Sequence, residues 1–199
     1  MGIVSRGFGG RRQETPPLPP GQYLEKGFPV LSAGPTPRVD LATWEFTITG
    51  IDGEVKRWSW DELQALPFED VVVDLHCVTQ WSKLGTPWRG VSLDVLLADV
   101  PTDDALFVMV HAYGGYTTNL PLADLRNNKA WVAFDYDGKP LHPEHGGPAR
   151  LLVPHLYLWK SAKWVRGLEL MRQDRRGFWE NVGYHDYGDP WLEQRYRDD

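Results

Sequence analysis

The chain has one cysteine and no long apolar run, and each of these features excludes a class of protein. Because Cys77 is the only thiol, no intramolecular disulfide can form, which rules out a disulfide-stapled secreted fold and allows a reducing compartment. No segment approaches the roughly 20 consecutive apolar residues that a membrane span requires. Positive charge is also scarce, since 21 Lys and Arg stand against 27 Asp and Glu, a net charge of −6. That balance argues against nucleic acid or an anionic membrane as the main partner.

The amino-terminal sequence contains no recognisable targeting peptide. Arg11 and Arg12 form a pair of the kind found in twin-arginine export signals, but Gln-Glu-Thr and a proline-rich stretch follow instead of an apolar segment. We therefore expect a cytoplasmic protein.

Proline and tryptophan are in excess, with 16 and 10 copies among 199 residues. A chain of this length suits one domain with its own core. The Pro- and Gly-rich composition around Pro16–Pro20 predicts an extended arm over residues 1–27, followed by a single domain over residues 28–199. The tryptophans have two interpretations that composition leaves open: they fill the core, or they form the walls around a large planar ligand.

The hydrophobic pattern predicts an α+β fold, made mostly of strands with a few short helices. Two Asp-Gly pairs, at Asp52-Gly53 and Asp137-Gly138, interrupt alternating segments and so predict the tips of β-hairpins. Strands do not alternate with long helices, which argues against a doubly wound α/β fold.

Three further signals describe the middle of the chain. The β-branched run over residues 70–78 predicts a buried strand that contains Cys77 at its end. The segment 83–90, rich in Gly, Pro and Trp, predicts a loop after that strand. Ser92 is placed to cap a helix directly after this loop.

Cys77 is the first residue whose chemistry points to a function. A thiol at the end of a strand can be a soft metal ligand, or a nucleophile where a base lowers its pKa. A lone cysteine in a strand is more often a small buried hydrophobe, and that interpretation stays open. His76 is adjacent, but neighbouring residues of a regular strand point to opposite faces, so adjacency does not make a Cys-His pair.

Two later segments collect positive charge and small residues. In the string from His145 to Arg150, two glycines allow close approach of the backbone to a ligand, and the guanidinium suits phosphate. In the string from Lys160 to Lys163, two cations flank small residues, as in a backbone cradle for an anion. Each string alone is equally typical of a turn or a solvated strand. Their clustering in an acidic chain favours an anionic ligand.

Taken together, these strings resemble the sulfite oxidase family of molybdenum enzymes. The resemblance rests on HCVTQWS around Cys77 and on HGGPARLLVPHLYLWKSAKWV from His145 onward, and it covers roughly residues 28–170. Within the family, the chain is similar to small haem-free bacterial members such as the catalytic subunit of protein-methionine-sulfoxide reductase. The resemblance implies a sulfite oxidase-type molybdopterin-binding fold around one molybdenum–molybdopterin cofactor, with Cys77 as the only protein ligand of the metal.

The resemblance also implies a set of cofactor contacts. The residues at the corresponding positions are Ser32, Ala112, His145, Arg150, Ser161, Ala162 and Lys163. His145 and Arg150 correspond to positions that hold the pterin and its phosphate. Ser161, Ala162 and Lys163 correspond to the phosphate-binding backbone. Ser32 matches poorly, because the polar side chains usual around that position are replaced. Ala112 also matches poorly, because it has no polar side chain and any contact must come from its main chain.

The segment after the cysteine departs from the true sulfite oxidases. Those enzymes have arginines there to hold a dianion, whereas this chain reads Thr79-Gln80-Trp81-Ser82. We therefore expect two-electron oxo transfer on a small or sulfoxide-like substrate. Because the chain lacks the haem domain of those enzymes, we expect a separate electron donor or acceptor. Two alternatives stay open: a non-catalytic molybdopterin-binding or carrier protein, and a metal-free enzyme with Cys77 as nucleophile and a histidine as base.

Overall fold

A computed structural model describes residues 16–199 and confirms the predicted α+β class. The strands are β1 (Tyr23–Leu24), β2 (Glu45–Thr49), β3 (Val55–Ser59), β4 (Glu69–His76), β5 (Trp81–Ser92), β6 (Phe107–Ala112), β7 (Thr117–Pro121), β8 (Trp131–Tyr136), β9 (Lys139–Pro140), β10 (Arg150–Leu152) and β11 (Val165–Met171). The α-helices are α1 (Trp60–Ala65), α2 (Leu93–Leu96) and α3 (Phe178–Asn181), and single 3-10 turns cover Leu122–Leu125, Pro143–His145 and Leu158–Lys160. Most of the predicted arm lies outside the described residues, and its described part, residues 16–27, contains β1.

The strands form two sheets. The first has the order β1-β5-β8-β10, with β4 also paired to β5 and β9 paired to β8. The second has the order β3-β2-β11-β6-β7. The pairs β1–β5 and β2–β11 are parallel, and the other pairs are antiparallel.

Local signals account for the short elements. Both Asp-Gly pairs lie where expected, between β2 and β3 and between β8 and β9. Ser59 caps α1 in a reciprocal capping box with Glu62, which satisfies two of the free N–H groups at the start of the helix. Ser92 caps α2, as predicted, through a hydrogen bond from the Asp94 backbone N–H.

Residues 83–90 lie in a strand, so the prediction of a loop there is wrong. It forms most of β5, which pairs with β4 on one side and β8 on the other. The glycine and proline are accommodated because the register with β4 shifts between Val73 and Leu75, where the Asp74 carboxylate accepts a hydrogen bond from the Gly85 N–H at 2.8 Å.

Strand β8 separates two apolar clusters. Its alternate residues Val132 and Phe134 enter a main core that also contains apolar residues of the second sheet. Trp131 and Ala133 face the other way, into a smaller cluster with Trp88 of β5. On β10, Leu151 joins the main core, so Arg150, one residue earlier, points to the side of the smaller cluster. This side of the first sheet carries the candidate site.

In the part of the chain that the structure describes, no helix is long and apolar enough to cross a membrane.

Candidate active site

Cys77 begins the tight turn between β4 and β5. Its carbonyl accepts a hydrogen bond from the Gln80 N–H at 3.0 Å, and its own N–H donates to the Trp81 carbonyl at 2.8 Å. Gln80 has a φ of 73°, in the left-handed region that a turn this tight requires. The thiol is buried, with the residue 7% exposed. The turn therefore presents a single sulfur in a sheltered position at the end of the sheet.

Burial raises the pKa of the Cys77 thiol, whereas hydrogen bonding to Thr79 and the positive charge of Arg195 act in the opposite direction. The Thr79 hydroxyl lies 3.1 Å from the sulfur and donates to it. His76 does not serve as a base for this thiol, because its Nδ1 lies 2.8 Å from the Ser82 hydroxyl. The geometry gives no basis for the metal-free Cys-His alternative.

Arg150 is a buried cation without an anion. The residue is 2% exposed, its two Nη atoms donate to the carbonyls of His145 and Ser161 at 2.9 and 2.7 Å, and its Nε has no partner. Its guanidinium lies 5.6 Å from the ring centre of Trp88. Burial lowers the pKa of Arg150 to about 10, and within residues 16–199 it forms no ion pair. A desolvated charge with an unused N–H indicates a missing anionic ligand.

Lys163 adds a second positive charge to the same neighbourhood. Its Nζ donates to the carbonyls of Leu31 and Glu144 at 2.8 and 2.6 Å. Burial, followed by repulsion from Arg150, lowers the pKa of Lys163 to about 8, while the charges of Glu144 and Cys77 oppose this change. Lys163 therefore lies within electrostatic range of both Arg150 and Cys77, although 73 residues separate those two in sequence.

The segment between β10 and β11 provides polar main-chain and hydroxyl groups. The Ser161 Oγ accepts a hydrogen bond from the Val153 N–H at 2.9 Å, which leaves the hydroxyl proton free to donate to a ligand. Ala162 is buried in the main core and its carbonyl accepts from the Leu151 N–H at 2.8 Å. It can therefore contribute only its remaining main-chain N–H.

His145 contributes an unpartnered polar atom and a stacking surface. Its buried Nδ1 has no hydrogen-bond partner, and its ring stacks on Phe28 at 4.2 Å with an interplanar angle of 13°. Burial, with repulsion from Lys163 and Arg150, lowers the pKa of His145. A neutral imidazole beside two cations can accept or donate a hydrogen bond to a heterocycle.

Gly146 makes the close approach of these groups possible. Its φ is 113°, and a Cβ there would lie 3.0 Å from the Lys163 Cα and 3.1 Å from the Arg150 Cβ. Any side chain at this position would push the two cations apart. The sequence predicted that glycine lets the backbone approach a ligand, whereas Gly146 lets Arg150 and Lys163 approach the backbone; the ligand contact stays a prediction.

Ser32 and Ala112 form no hydrogen bond with Cys77, Arg150 or Lys163. Ser32 is exposed, and its hydroxyl accepts only the Gly34 N–H of its own turn, at 3.4 Å. Ser32 follows Leu31, whose carbonyl accepts a hydrogen bond from the Lys163 Nζ. Ala112 is buried at the end of β6, where its N–H donates to the Tyr116 carbonyl.

Lys160 does not belong to the anion cradle that its spacing predicted. Its side chain is fully buried and points into a separate polar cluster, where Nζ lies 2.7 Å from the Glu180 carboxylate. It also donates to the side chain and carbonyl of Asn119 and to the carbonyl of Asp186. The carboxylate neutralises this lysine, so the expected trio of cations is reduced to Arg150 and Lys163.

Sequence reasoning missed the aromatic and tail residues around the site. The ring of Phe28 lies 6.3 Å from Trp81, 6.2 Å from Trp88 and 5.3 Å from Tyr136. Arg195, near the carboxyl end, bonds the Val78 carbonyl. The excess of tryptophan was the one available signal, because nothing local in the sequence pairs these positions.

Unpartnered buried atoms concentrate around this site. Of seven such side-chain atoms in residues 16–199, four are Trp81 Nε1, His145 Nδ1, Arg150 Nε and the Tyr157 hydroxyl. No cluster of three or more His, Cys, Asp or Glu side chains in this range is placed to hold a metal ion. The unused donors, the two cations and the aromatic walls fit an anionic heterocyclic cofactor that also meets the Cys77 sulfur.

Comparison with known proteins decides the family. The model of the oxidoreductase molybdopterin-binding domain matches residues 33–179. The chain belongs to this family. It is 40% identical over 193 residues to the uncharacterized oxidoreductase YuiH of Bacillus subtilis, covering 95% of this chain and 98% of that protein.

Other relatives carry reductase names. The chain is 31% identical over 151 residues to the putative protein-methionine-sulfoxide reductase subunit YedZ1 of Azospira oryzae, covering 75% of this chain and 57% of the relative. It is 26% identical over 183 residues to the protein-methionine-sulfoxide reductase catalytic subunit MsrP of Pseudomonas syringae pv. tomato, covering 82% and 53%. The chain thus spans just over half the length of these two relatives.

The fold also matches a solved structure. The sulfane dehydrogenase SoxCD from Paracoccus pantotrophus superposes with a TM-score of 0.62 at 20% identity, over 69% of this chain and 40% of that chain. These findings confirm the predicted family, the sulfite oxidase-type fold and the oxidoreductase character of this molybdopterin-binding family member.

Proposed function

We propose that this protein holds a molybdenum–molybdopterin cofactor and catalyses two-electron oxygen-atom transfer, with Cys77 as the protein ligand of the metal. The observation that carries the proposal is the buried Arg150, a full positive charge whose only described partners are two carbonyls. A phosphate-bearing cofactor supplies the anion that this site lacks.

Different residues of the chain would bind the phosphate and the pterin of the cofactor. Arg150 and Lys163 would hold the phosphate with two charges, and the Ser161 hydroxyl would add a neutral donor. His145 and the aromatic side chains around Phe28 would hold the planar pterin, for which stacking and one heterocyclic hydrogen bond are suitable contacts. Ser32 follows Leu31, whose carbonyl Lys163 binds, and would add a contact there. The N–H of Ala112 donates to the Tyr116 carbonyl and its carbonyl accepts from the Gly115 N–H, so a cofactor contact from Ala112 rests on the resemblance alone.

Cys77 would supply the protein ligand of the metal. A thiolate is a soft donor that suits a metal cycling by two electrons, and a bound metal would itself keep the sulfur deprotonated against the effect of burial. When bound, the molybdenum supplies the oxo-transfer chemistry. The chain contributes a sheltered turn, two cations and an aromatic enclosure that excludes water.

The substrate we propose is small and uncharged at the reacting centre, such as a sulfoxide. The residues Thr79-Gln80-Trp81-Ser82 carry no charge, so the sequence of the turn itself holds no cation for an anionic substrate. The reductase names of two relatives agree with this substrate class. A separate electron donor or acceptor, and a cytoplasmic location, are parts of the same proposal.

The test is expression in a host that makes the cofactor, followed by metal analysis and turnover. We expect about one molybdenum per protein, and reduction of methionine sulfoxide with reduced benzyl viologen as electron donor. Purified protein without molybdenum would overturn the proposal. Bound pterin without substrate-dependent cycling of the molybdenum would instead identify a carrier.

A further inference from the structure

The carboxyl-terminal tail is folded into a turn that aims one arginine at the Cys77 turn. The backbone N–H groups of Arg195 and Tyr196 both donate to the Asp199 carboxylate, at 2.9 and 2.5 Å. Tyr196 also forms a β-bridge with Tyr184, and the Arg195 carbonyl accepts from the His185 N–H at 3.2 Å. These bonds fix the backbone of Arg195, so the direction of its side chain is set by the tail itself.

The guanidinium of Arg195 joins three distant parts of the chain. One Nη donates to the Val78 carbonyl at 2.8 Å, and the other donates to the Pro20 carbonyl at 3.1 Å. The group lies 5.1 Å from the ring centre of Tyr157, and the residue is 8% exposed. Its nearest carboxylate is that of Glu193, 3.7 Å away and half exposed, so the charge is only weakly neutralised.

The two carbonyls at the start of the Cys77 turn are therefore held from outside the turn. Gln22 Nε2 donates to the Cys77 carbonyl at 3.0 Å, and Arg195 donates to the next carbonyl, that of Val78. A peptide plane whose carbonyl is fixed by a charged donor has little freedom to rotate. The orientation of the Cys77 side chain depends on these planes.

Building on the proposed function, we propose that Arg195 is a positioning residue for the molybdenum ligand. It locks the Val78 peptide, and with it the direction of the Cys77 sulfur, and it places a positive charge at the carbonyl next to that residue. The turn has no cation in its own sequence, Thr79-Gln80-Trp81-Ser82, and receives one from the tail, 118 residues after Cys77.

Amide hydrogen exchange of the cofactor-free protein tests the positioning directly. We expect Arg195→Gln to speed exchange of the Cys77 and Gln80 amides roughly tenfold, because the charged hydrogen bond to Val78 is lost. Arg195→Lys, which can reach one carbonyl, should give an intermediate rate. The matched control is Arg197→Gln, which removes a bond from the same tail to the Glu180 carbonyl and should leave the Cys77 turn unchanged.

Turnover of the loaded enzyme provides the second readout. Arg195→Gln should lower kcat by about tenfold or more, with KM for methionine sulfoxide within about twofold, because a misplaced ligand impairs chemistry more than binding. If Arg195→Gln fails to fold, the same comparisons are made with Arg195→Lys. Exchange at Cys77 and Gln80 within about twofold of the unmodified protein would overturn the proposal. Since exchange is measured without cofactor, a failure of the proposed function would show itself separately, as wild-type protein without molybdenum.

Discussion

Replacing Arg150 with methionine tests whether this arginine serves ligand binding or the stability of the fold. Burial lowers the pKa of Arg150 to about 10, which corresponds to a cost of about 3 kcal/mol for keeping the charge inside the cofactor-free protein. Methionine fills a similar volume without that cost. It also removes two charged hydrogen bonds to carbonyls, each contributing about 1.5 to 3 kcal/mol.

These opposing contributions are of similar size, so the cofactor-free protein should lose little stability. We expect Arg150→Met to lower the free energy of unfolding by no more than about 3 kcal/mol, a shift in Tm of no more than about 10 °C. The loss of a charged contact to the cofactor phosphate should weaken cofactor binding by about tenfold to a hundredfold.

The assay compares the molybdenum-to-protein ratio after prolonged dialysis with Tm by circular dichroism. Arg126→Met is the matched control, because Arg126 also has a buried Nε without a partner but bonds Thr102, away from Arg150. Unaltered molybdenum retention in Arg150→Met, or a collapse of the cofactor-free fold, would refute the reasoning that this arginine serves an anion.

Three further predictions follow from the same structure. Cys77→Ser should keep the fold and the molybdenum, since the phosphate contacts are intact, and should abolish sulfoxide reduction. Lys163, with a pKa of about 8 in the empty protein, carries its charge below that pH and loses it above, so the cofactor affinity of the unmodified protein relative to Lys163→Gln should fall as the pH rises from 7 to 9. The comparison cancels the opposite effect of Cys77, whose thiol must lose its proton to bind the metal in both proteins. Glu180→Gln should lower the free energy of unfolding by about 3 to 5 kcal/mol, since it leaves the buried charge of Lys160 unpaired, and the double variant Lys160→Met/Glu180→Leu should recover much of the loss.

Each of these predictions has an outcome that contradicts it. Unchanged turnover in Cys77→Ser would remove the sulfur from the mechanism. The same pH dependence of cofactor affinity in Lys163→Gln and in the unmodified protein would mean that the Lys163 charge does not reach the ligand. If Glu180→Gln unfolds at the same denaturant concentration as the unmodified protein, the ion pair between Glu180 and Lys160 does not stabilise the fold.

The elements defined by local chemistry were predictable from the sequence. Asp52-Gly53 and Asp137-Gly138 specify hairpin tips because their residues tolerate the left-handed backbone that such turns need. Ser92 caps α2 through a bond two residues away. In the segment 83–90, by contrast, glycine and proline predicted a loop, and pairing on both sides with β4 and β8 outweighed that local preference.

The candidate site was predictable in part, for the same reason. The order of the strings around Cys77, Arg150 and Lys163 indicated a common ligand, and the structure places Lys163 within electrostatic range of the other two. The burial of Lys160 against Glu180 and the reach of Arg195 to Val78 depend on how the tail packs. No periodicity or spacing encodes contacts between segments so far apart in the chain.

The central claim is that the Cys77 sulfur binds molybdenum, and X-ray absorption at the molybdenum edge tests it most directly. The spectra of the loaded protein and of loaded Cys77→Ser would be recorded under identical conditions. We predict one sulfur neighbour fewer around the metal in the variant. The same number of sulfur neighbours in both samples would contradict the account.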